Sequence, residues 1–401
     1  MKKIIFLGSS LAAARAMEEI RKTDKESEIT MIADGGDLPY QRHLFGPWVA
    51  KEIKEEQVIY RPGDYFKENN IKLLFDKNIT RFDFKKKRLV TEEKESFDFN
   101  VLVITDTLTA KFPEVKGVQK KGVFCLKRFN KIKDMISFLP MVETVIIQTN
   151  DILGILLAAG IRKHNKEVIV VVPADFILSD LMDQGPAQVL TKILDDNGVR
   201  IITGNSIVEI LGDGDVKAVR LSSGKVLATQ VVLYSQVKPD FKMLANSGLA
   251  LEGALVVNDT FQTNLENVYA VDAACTFGLN QGLDDFEIST LHLSEQGKVI
   301  GQSILGSPLT YAAPSRLISL NIFDNSVTLI GRTKNQSGLK EYKEFDPPKN
   351  IYKKILMEND LVVGAILINV PDEGQKIRQR IEQRIPLSLA DQPETKFLLN
   401  I

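Results

Sequence analysis

The segment from residue 2 to residue 42 follows the pattern of a strand, a tight turn, a helix and a second strand. The apolar run 4–8 predicts a buried strand, residues 11–22 have helical spacing, and residues 26–34 predict the second strand. A strand, a glycine turn, a helix and a parallel strand form the βαβ unit, which can place a diphosphate on the N-terminus of its helix. The sequence therefore predicts an α/β chain that begins with a nucleotide-binding type of unit.

The fingerprint of such a unit is G-x-G-x-x-G, and its glycine positions are occupied here by Gly8, Ser10 and Ala13. Serine and alanine are the smallest residues after glycine, so a pyrophosphate can still approach the backbone, although less closely. Many α/β proteins begin with an apolar strand and a glycine turn, so the pattern alone does not single out nucleotide binding. The three residues are nevertheless candidate cofactor-binding residues.

Residues 8–45 resemble the FAD-binding start of flavoprotein reductases with two dinucleotide-binding domains. The resembling group is the NAD(P)H-dependent FAD oxidoreductases related to the flavin-containing part of NADH-nitrite reductase and to NADH-rubredoxin reductase. Residues 39–42 match the family's Pro-Tyr-x-Arg segment, which brings an arginine, here Arg42, toward the FAD pyrophosphate. The likeness continues through residues 59–75 to residues 353–369, so it covers nearly the whole chain.

The resemblance implies an α/β chain with a glutathione-reductase-type fold: two dinucleotide-binding domains and a C-terminal α+β domain. We expect an FAD-type Rossmann-like domain at residues 1–112 and 246–307. An NAD-type domain is expected at residues 113–245, and an α+β interface domain at residues 308–401.

The resemblance also implies further FAD contacts. Asp34, at the end of the second strand, and Thr105, at the end of a later buried strand, are candidate cofactor-binding residues. After that later strand the family has a glycine where this chain has Asp106. The family's Gly-Asp pair, whose aspartate hydrogen-bonds the FAD ribitol, is replaced by Asp272 and Ala273. Asp272 is the candidate substitute, although adjacent residues at a strand end point to opposite faces.

A second βαβ pattern follows, but its fingerprint positions, taken as Gln148, Asn150 and Leu153, contain no glycine. A displaced third glycine at Gly154 would leave none at the first two positions. Val172 stands where the second strand usually carries the acidic residue that holds the adenosine ribose. Because the fingerprint glycines allow phosphate to approach the backbone, we expect FAD as the cofactor and no normal NAD(P) site.

Composition and charge exclude several functional classes. The 401 residues are 44% hydrophobic with a formal net charge of −1, which allows ordinary cores and gives no bias toward nucleic acid or anionic membrane.

The two cysteines, Cys125 and Cys275, form no CxxC motif, so we expect two buried thiols and no reactive dithiol. Three scattered histidines predict no metal site. His43 either faces the flavin region or is a satisfied surface or interface histidine, and we expect the latter. Without a membrane-length apolar run or a signal peptide, we expect a cytoplasmic protein.

Two functional hypotheses from different classes stay open. The first is an FAD-dependent oxidoreductase that passes electrons between flavin and a protein partner, which is a ferredoxin-like or rubredoxin-like protein or a larger redox complex. The second is a non-catalytic scaffold or regulatory subunit without FAD. The second is favoured by Asp106 and Asp272, because an unpaired anion is costly to desolvate. An ordinary NAD(P)H-dependent FAD reductase is third. We expect a homo- or hetero-oligomer, and the sequence identifies no catalytic residue.

Overall fold

A computed structural model describes residues 1–33, 35–105, 110–111, 113–126, 129–235, 238–239, 241–244, 247–276, 290–370 and 373–386. The chain divides into two units, each with its own apolar core. The first unit consists of Met1–Glu114, Phe124–Pro140 and Gln236–Ala313, and the second of Val115–Val123, Met141–Ser235 and Pro314–Ile401. The three domain boundaries expected from the sequence stay a prediction.

The strands are β1 Lys3–Leu7, β2 Glu28–Ile32, β3 Ile71–Leu74, β4 Ile79–Asp83, β5 Arg88–Thr91, β6 Ser96–Asp98, β7 Val101–Ile104, β8 Ala110–Lys111, β9 Val123–Cys125, β10 Thr144–Gln148, β11 Glu167–Val171, β12 Val199–Ile202, β13 Ile207–Leu211, β14 Ala218–Leu221, β15 Val226–Ala228, β16 Val231–Tyr234, β17 Lys238–Pro239, β18 Leu255–Val256, β19 Val268–Ala270, β20 Cys275–Thr276, β21 Leu317–Ile322, β22 Asn325–Gly331, β23 Lys340–Asp346, β24 Ile351–Glu358 and β25 Leu361–Ile368. The α-helices are α1 Leu11–Thr23, α2 Phe45–Val49, α3 Glu55–Val58, α4 Gly63–Glu68, α5 Phe129–Phe138, α6 Ile152–Arg162, α7 Gln184–Asp196, α8 Thr290–Ile304 and α9 Gly374–Glu382. Short 3₁₀ helices occur at Arg42–Leu44, Leu139–Met141, Lys242–Leu244, Asp272–Ala274 and Pro347–Lys349.

The first unit is built on a five-stranded sheet with the order β19-β7-β1-β2-β3, in which all neighbouring strands are parallel. Every residue of β7 is buried, as expected for a parallel strand covered on both faces. The pairing of β1 with β2 ends at Leu7 and Ile32, so both strands finish at the sheet edge where α1 begins. The carboxyl edge of this sheet therefore carries the loops that form the cleft described below.

Helix α1 packs closely against α8 in the same unit. A Cβ atom added at Gly297 of α8 would lie 2.5 Å from the carbonyl oxygen of Ala12, and one added at Gly301 would lie 2.6 Å from Cβ of Glu19. These glycines are therefore required by the small distance between the two helices, and they fix α1 against α8.

The second unit contains a sheet in which β12, β11, β10 and β16 lie side by side in that order. The pairs β12–β11, β11–β10 and β10–β16 are parallel. Helix α6 follows β10, and all its residues from Ile152 to Ile161 are buried. A helix that is apolar on every side lies in the interior of a protein, so α6 is a core element of this unit.

The C-terminal part of the second unit is an antiparallel sheet with the order β21-β22-β25-β24-β23. Lys354 on β24 is 1% exposed, and its ammonium group donates to the carboxylate of Asp183 and, at 3.1 Å, to the carbonyl oxygen of Thr333. Asp183 is the residue that precedes helix α7. A buried ion pair thus joins this sheet to the start of α7.

The predicted elements agree with the structure to within a few residues where the apolar pattern is strong. The strand predicted at residues 4–8 is Lys3–Leu7, and the helix predicted at 11–22 is Leu11–Thr23. Cys125 and Cys275 are buried free thiols, as predicted, and burial raises the pKa of the Cys275 thiol. Across the described segments, none of the helices combines the length and the apolar character needed to cross a bilayer.

Candidate functional site

The start of α1 has the geometry of an anion-binding helix terminus. Gly8 directly follows β1 with a φ of 121°, a conformation that L-residues avoid, and its N–H donates to the carbonyl oxygen of Ile32 at 2.8 Å. Ser10 is the N-cap of α1, and its hydroxyl oxygen accepts from the N–H of Ala13 at 3.1 Å. The cap is uncharged, so it leaves the positive end of the helix dipole available to an anion.

A narrow cleft that is partly open to solvent lies beside this helix terminus. Described residues from four places in the first unit meet in it: the turn after β1, the segment before α2, the turn at Asp272, and the start of α8. The lining residues are Ser9, Ser10, Leu11, Tyr40, Gln41, Arg42, His43, Asp272, Thr290 and Leu293. The structure thus brings together three of the candidate site residues, Ser10, Arg42 and Asp272.

Arg42 supplies the positive charge of the cleft. It lies in the 3₁₀ helix Arg42–Leu44, is 9% exposed, and has its guanidinium carbon 5.9 Å from the ring centroid of Tyr40. Tyr40 stacks on Phe45 at 5.4 Å, and Phe45 in turn lies 6.2 Å from Trp48, the single tryptophan of the chain. A buried guanidinium near an uncharged helix N-terminus favours a phosphate or carboxylate ligand.

Asp272 faces this cleft because of its backbone conformation. Strand β19 ends at Ala270, and Asp272 begins a 3₁₀ turn with a φ of 58°. Its N–H donates to the side-chain oxygen of Gln296 at 3.3 Å, which ties the turn to α8. The left-handed conformation explains why a glycine suits this position, and aspartate tolerates it better than most residues do.

The expected alternation between Asp272 and Ala273 does not hold here. Alternation requires an extended strand, whereas these two residues lie in a helical turn. Asp272 lines the cleft, and the residue as a whole is 9% exposed. A carboxylate in this place accepts hydrogen bonds from hydroxyl groups and repels anions, so its effect depends on which part of a ligand it faces.

The other candidate residues either do not line this cleft or lie outside the described residues. Ala13 is fully buried in the first turn of α1. Thr105 is also fully buried, and its N–H and hydroxyl both donate to the carbonyl oxygen of Leu7, at 2.9 and 3.1 Å. Thr105 therefore holds the end of β7 against β1 and is not a lining residue. Asp34 and Asp106 lie outside the described residues.

His43 is a cleft residue that the sequence analysis considered but did not favour. The sequence predicted a satisfied surface or interface histidine, but His43 is half-buried, lines the cleft, and has a buried Nδ1 without a hydrogen-bond partner among the described residues. Burial lowers the pKa of this histidine. Its position directly after Arg42 was the only available signal, and it does not reveal which way the ring points.

In the second unit, the start of α6 differs from the start of α1 in the charge of its cap. Asp151 is the N-cap of α6, and its Oδ1 accepts from the N–H of Gly154 at 2.8 Å. Asp151 is 9% exposed. A carboxylate therefore occupies the place at which a free helix terminus receives a phosphate, and its charge already compensates the helix dipole.

The two N-caps also correct the register of the second fingerprint. Ser10 corresponds to Asp151, so Gly8 corresponds to Thr149 and Ala13 to Gly154. The sequence-based assignment to Gln148, Asn150 and Leu153 is therefore wrong by one residue, because β10 continues through Gln148 before the turn begins.

Gly154 is the third fingerprint residue by its packing as well as by its position. A Cβ atom there would lie 2.1 Å from the hydroxyl oxygen of Thr149, so only glycine fits. One of the three glycines has thus been retained, and the conclusion that all were lost is corrected. The first two positions carry the side chains of Thr149 and Asp151.

Polar side chains of the turn after β10 are bonded within the second unit. The hydroxyl oxygen of Thr149 accepts from Ser235 at 2.7 Å, and the amide nitrogen of Asn150 donates to the hydroxyl of Ser179 at 2.8 Å. At the end of β11 stands the fully buried Val172, so that strand presents no ribose-binding carboxylate there. The side chains of Thr149 and Asn150 thus make their hydrogen bonds to other residues of this unit.

Two protein-family models match the chain. The model described as pyridine nucleotide-disulphide oxidoreductase matches residues 2–288, and the model described as rubredoxin NAD+ reductase C-terminal domain matches residues 317–385. The first match covers more than half of the chain.

Two curated relatives cover almost the whole chain. Nitrite reductase (NAD(P)H) of Bacillus subtilis (strain 168) is 25% identical over 391 residues, which are 96% of this chain and 48% of that protein. The assimilatory nitrate reductase electron transfer subunit of the same organism is 22% identical, over 98% of this chain and 51% of that protein. The chain thus spans about half the length of these two relatives.

The crystal structure of NADH:rubredoxin oxidoreductase from Clostridium acetobutylicum has a TM-score of 0.78 to this chain, at 21% identity. The alignment covers 98% of this chain and 99% of that one. The likeness confirms the expected fold, with two dinucleotide-binding domains and a C-terminal domain, which here contains an antiparallel sheet.

Proposed function

The chain belongs to the pyridine nucleotide-disulphide oxidoreductase family, and from this premise we propose that it binds FAD and relays electrons between the flavin and a redox protein. We propose further that it does so without a normal NAD(P) site. The single observation that carries the first part is the meeting of Arg42 with the uncharged N-terminus of α1 in one cleft.

The residues of the cleft fit the chemical groups of FAD. Gly8, Ser10 and Ala13 allow a diphosphate to approach the start of α1, and Arg42 supplies the cation that pairs with it. Asp272 would accept hydrogen bonds from hydroxyl groups of the same ligand. Bound FAD supplies redox chemistry that side chains cannot perform, while the protein orients it and controls its access. Thr105 and Asp34 remain proposed contacts, the former through its backbone position at the end of β7.

The absence of a normal NAD(P) site is supported by the start of α6. The carboxylate of Asp151 already accepts from the first-turn amide of Gly154, and Thr149 adds a side chain at the first fingerprint position. An approaching diphosphate would meet a buried like charge, which is unfavourable in a partly desolvated turn.

The proposed electron partner is a ferredoxin-like or rubredoxin-like protein or a larger redox complex. Support comes from the match of residues 317–385 to a rubredoxin NAD+ reductase C-terminal domain. It also comes from a relative that is named an electron transfer subunit. We further propose that the chain acts in the cytoplasm as part of a homo- or hetero-oligomer.

Two other functions have observations in their favour. A non-catalytic scaffold without FAD is favoured by the carboxylate of Asp272 in the cleft, because an anion beside a diphosphate weakens its binding. An ordinary NAD(P)H-dependent reductase is favoured by the retained Gly154 and by relatives whose names include NADH or NAD(P)H.

Flavin content separates these functions. We expect the purified chain to carry about one FAD, seen as visible flavin absorbance and released on denaturation. Because Trp48 is the single tryptophan and lies two aromatic contacts from the cleft residue Tyr40, FAD added to flavin-free protein should quench its emission by energy transfer. A colourless protein whose tryptophan emission does not respond to FAD would support the scaffold and refute this proposal.

Replacing Asp272 shows whether its carboxylate attracts or repels FAD, because the two cases change the FAD affinity in opposite directions. We expect Asp272→Ala to weaken FAD binding about fivefold, since it removes an acceptor for ligand hydroxyl groups. Titration of the flavin-free protein with FAD measures the change in affinity. The control is Asp259→Ala, which removes one carboxylate from a loop of the same unit. Tighter binding by Asp272→Ala would mean that the carboxylate repels FAD, as the scaffold hypothesis assumes.

A further inference from the structure

His43 has a polar atom that the protein itself leaves unsatisfied. Its ring lines the cleft, yet Nδ1 is buried and has no hydrogen-bond partner among the residues that the structure describes. Buried nitrogen atoms of this kind are rare in folded proteins, because each one loses its hydrogen bond to water without gaining another. The orphaned atom therefore calls for a partner that is not part of the described chain.

The imidazole can present this nitrogen on either side. The last torsion of a histidine side chain is roughly two-fold, so turning the ring exchanges the places of Nδ1 and Cδ2. Since His43 is half-buried and lines the cleft, a turned ring can present Nδ1 to a ligand there. A ligand in the cleft would stabilise that orientation by supplying the missing hydrogen bond.

The neighbours of His43 define what kind of atom it would contact. Arg42, next to it in the same 3₁₀ helix, and Asp272 are the charged groups among the described lining residues. Burial and the adjacent cation both favour the uncharged imidazole, and burial lowers the pKa of His43. A neutral ring has one donor and one acceptor nitrogen, so it suits an uncharged polar atom.

We propose that His43 is a ligand-contacting residue of this cleft, and that its Nδ1 hydrogen-bonds to an uncharged polar atom of the dinucleotide whose diphosphate Arg42 binds. This inference rests on the proposed function, because the ligand is taken to be FAD. It adds a contact that neither the fingerprint nor the Pro-Tyr-x-Arg segment contains. His43 would raise affinity without placing another charge beside the diphosphate.

The test compares two replacements of His43. Phenylalanine keeps an aromatic ring and removes the hydrogen bond, whereas asparagine carries a side-chain amide close to the position of Nδ1. We expect His43→Phe to weaken FAD binding about fivefold, and His43→Asn to stay within about twofold of the unmodified chain. The titration uses FAD with the flavin-free, full-length protein and follows flavin and Trp48 emission. His164→Phe, at the end of α6 in the second unit, is the control.

Thermal unfolding of the flavin-free protein provides the second readout. Because His43→Phe removes an unsatisfied buried atom, its unfolding midpoint should equal or exceed that of the unmodified chain while its FAD affinity falls. Unchanged or tighter FAD binding by His43→Phe overturns the inference, as does His43→Asn binding no better than His43→Phe. Failure of the unmodified chain to bind FAD would instead refute the proposed function, and this inference with it.

Discussion

Replacing Arg42 by alanine will weaken FAD binding about a hundredfold, or about 2.7 kcal/mol. Arg42 is the buried cation of the cleft, and hydrogen bonds between a guanidinium and a phosphate are stronger than those between neutral groups. The loss should appear in the titration of flavin-free protein and as loss of flavin during purification.

Two variants separate the ligand contact of Arg42 from its part in folding. Arg42→Lys keeps the charge but not the planar fork, so it should recover part of the affinity. Arg81→Ala removes an exposed arginine from β4 in the same unit and should leave FAD binding unchanged. If Arg42→Ala is folded by circular dichroism and binds FAD as tightly as the unmodified chain, the diphosphate does not lie at this cleft.

Replacing Asp151 by serine will strengthen the binding of NADH about thirtyfold, or about 2 kcal/mol. The change gives α6 the same uncharged cap that Ser10 gives α1, so the first-turn amide keeps an acceptor and helix stability changes little. What disappears is a nearly buried negative charge where a diphosphate must lie. The expected gain is smaller than full Coulomb repulsion would give, because Thr149 still narrows the turn.

Calorimetric titration with NADH measures this gain, and Asp213→Ser is the matched control. Asp213 lies on the hairpin between β13 and β14, and its side chain is 94% exposed. The control therefore removes the same charge from a position that is open to solvent. Tight NADH binding by the unmodified chain, with no gain in Asp151→Ser, would contradict the proposed loss of the site and favour the ordinary reductase.

The sequence predicted the architecture because buried parallel strands have a distinctive composition. The strands β1, β7 and β10 are short apolar runs bounded by turns, and a run of this kind is recognisable without a structure. Two strands of the C-terminal sheet were not predicted. The strand β23 has charged residues at most positions, as edge strands often do, and β24 contains Lys353 and Lys354, whose burial depends on partners distant in sequence.

The candidate site was less predictable because it depends on backbone geometry. The one-residue error in the second fingerprint arose because only the packing of Gly154 on Thr149 reveals where the turn begins. In the same way, the left-handed conformation of Asp272 cannot be read from its neighbours, and it reverses the direction expected for its side chain. Residue identity was a good guide to the start of α1, where the fingerprint is nearly intact.

The ion pair between Lys354 and Asp183 has a consequence for how the second unit is assembled. An ammonium group that is 1% exposed is stable only when its carboxylate partner is in place. Without Asp183, the ammonium group of Lys354 would keep only one carboxylate nearby, that of Glu341 at 3.7 Å on the neighbouring strand β23. Helix α7 and the sheet after residue 313 thus stabilise each other through this contact, and loss of Asp183 should destabilise both.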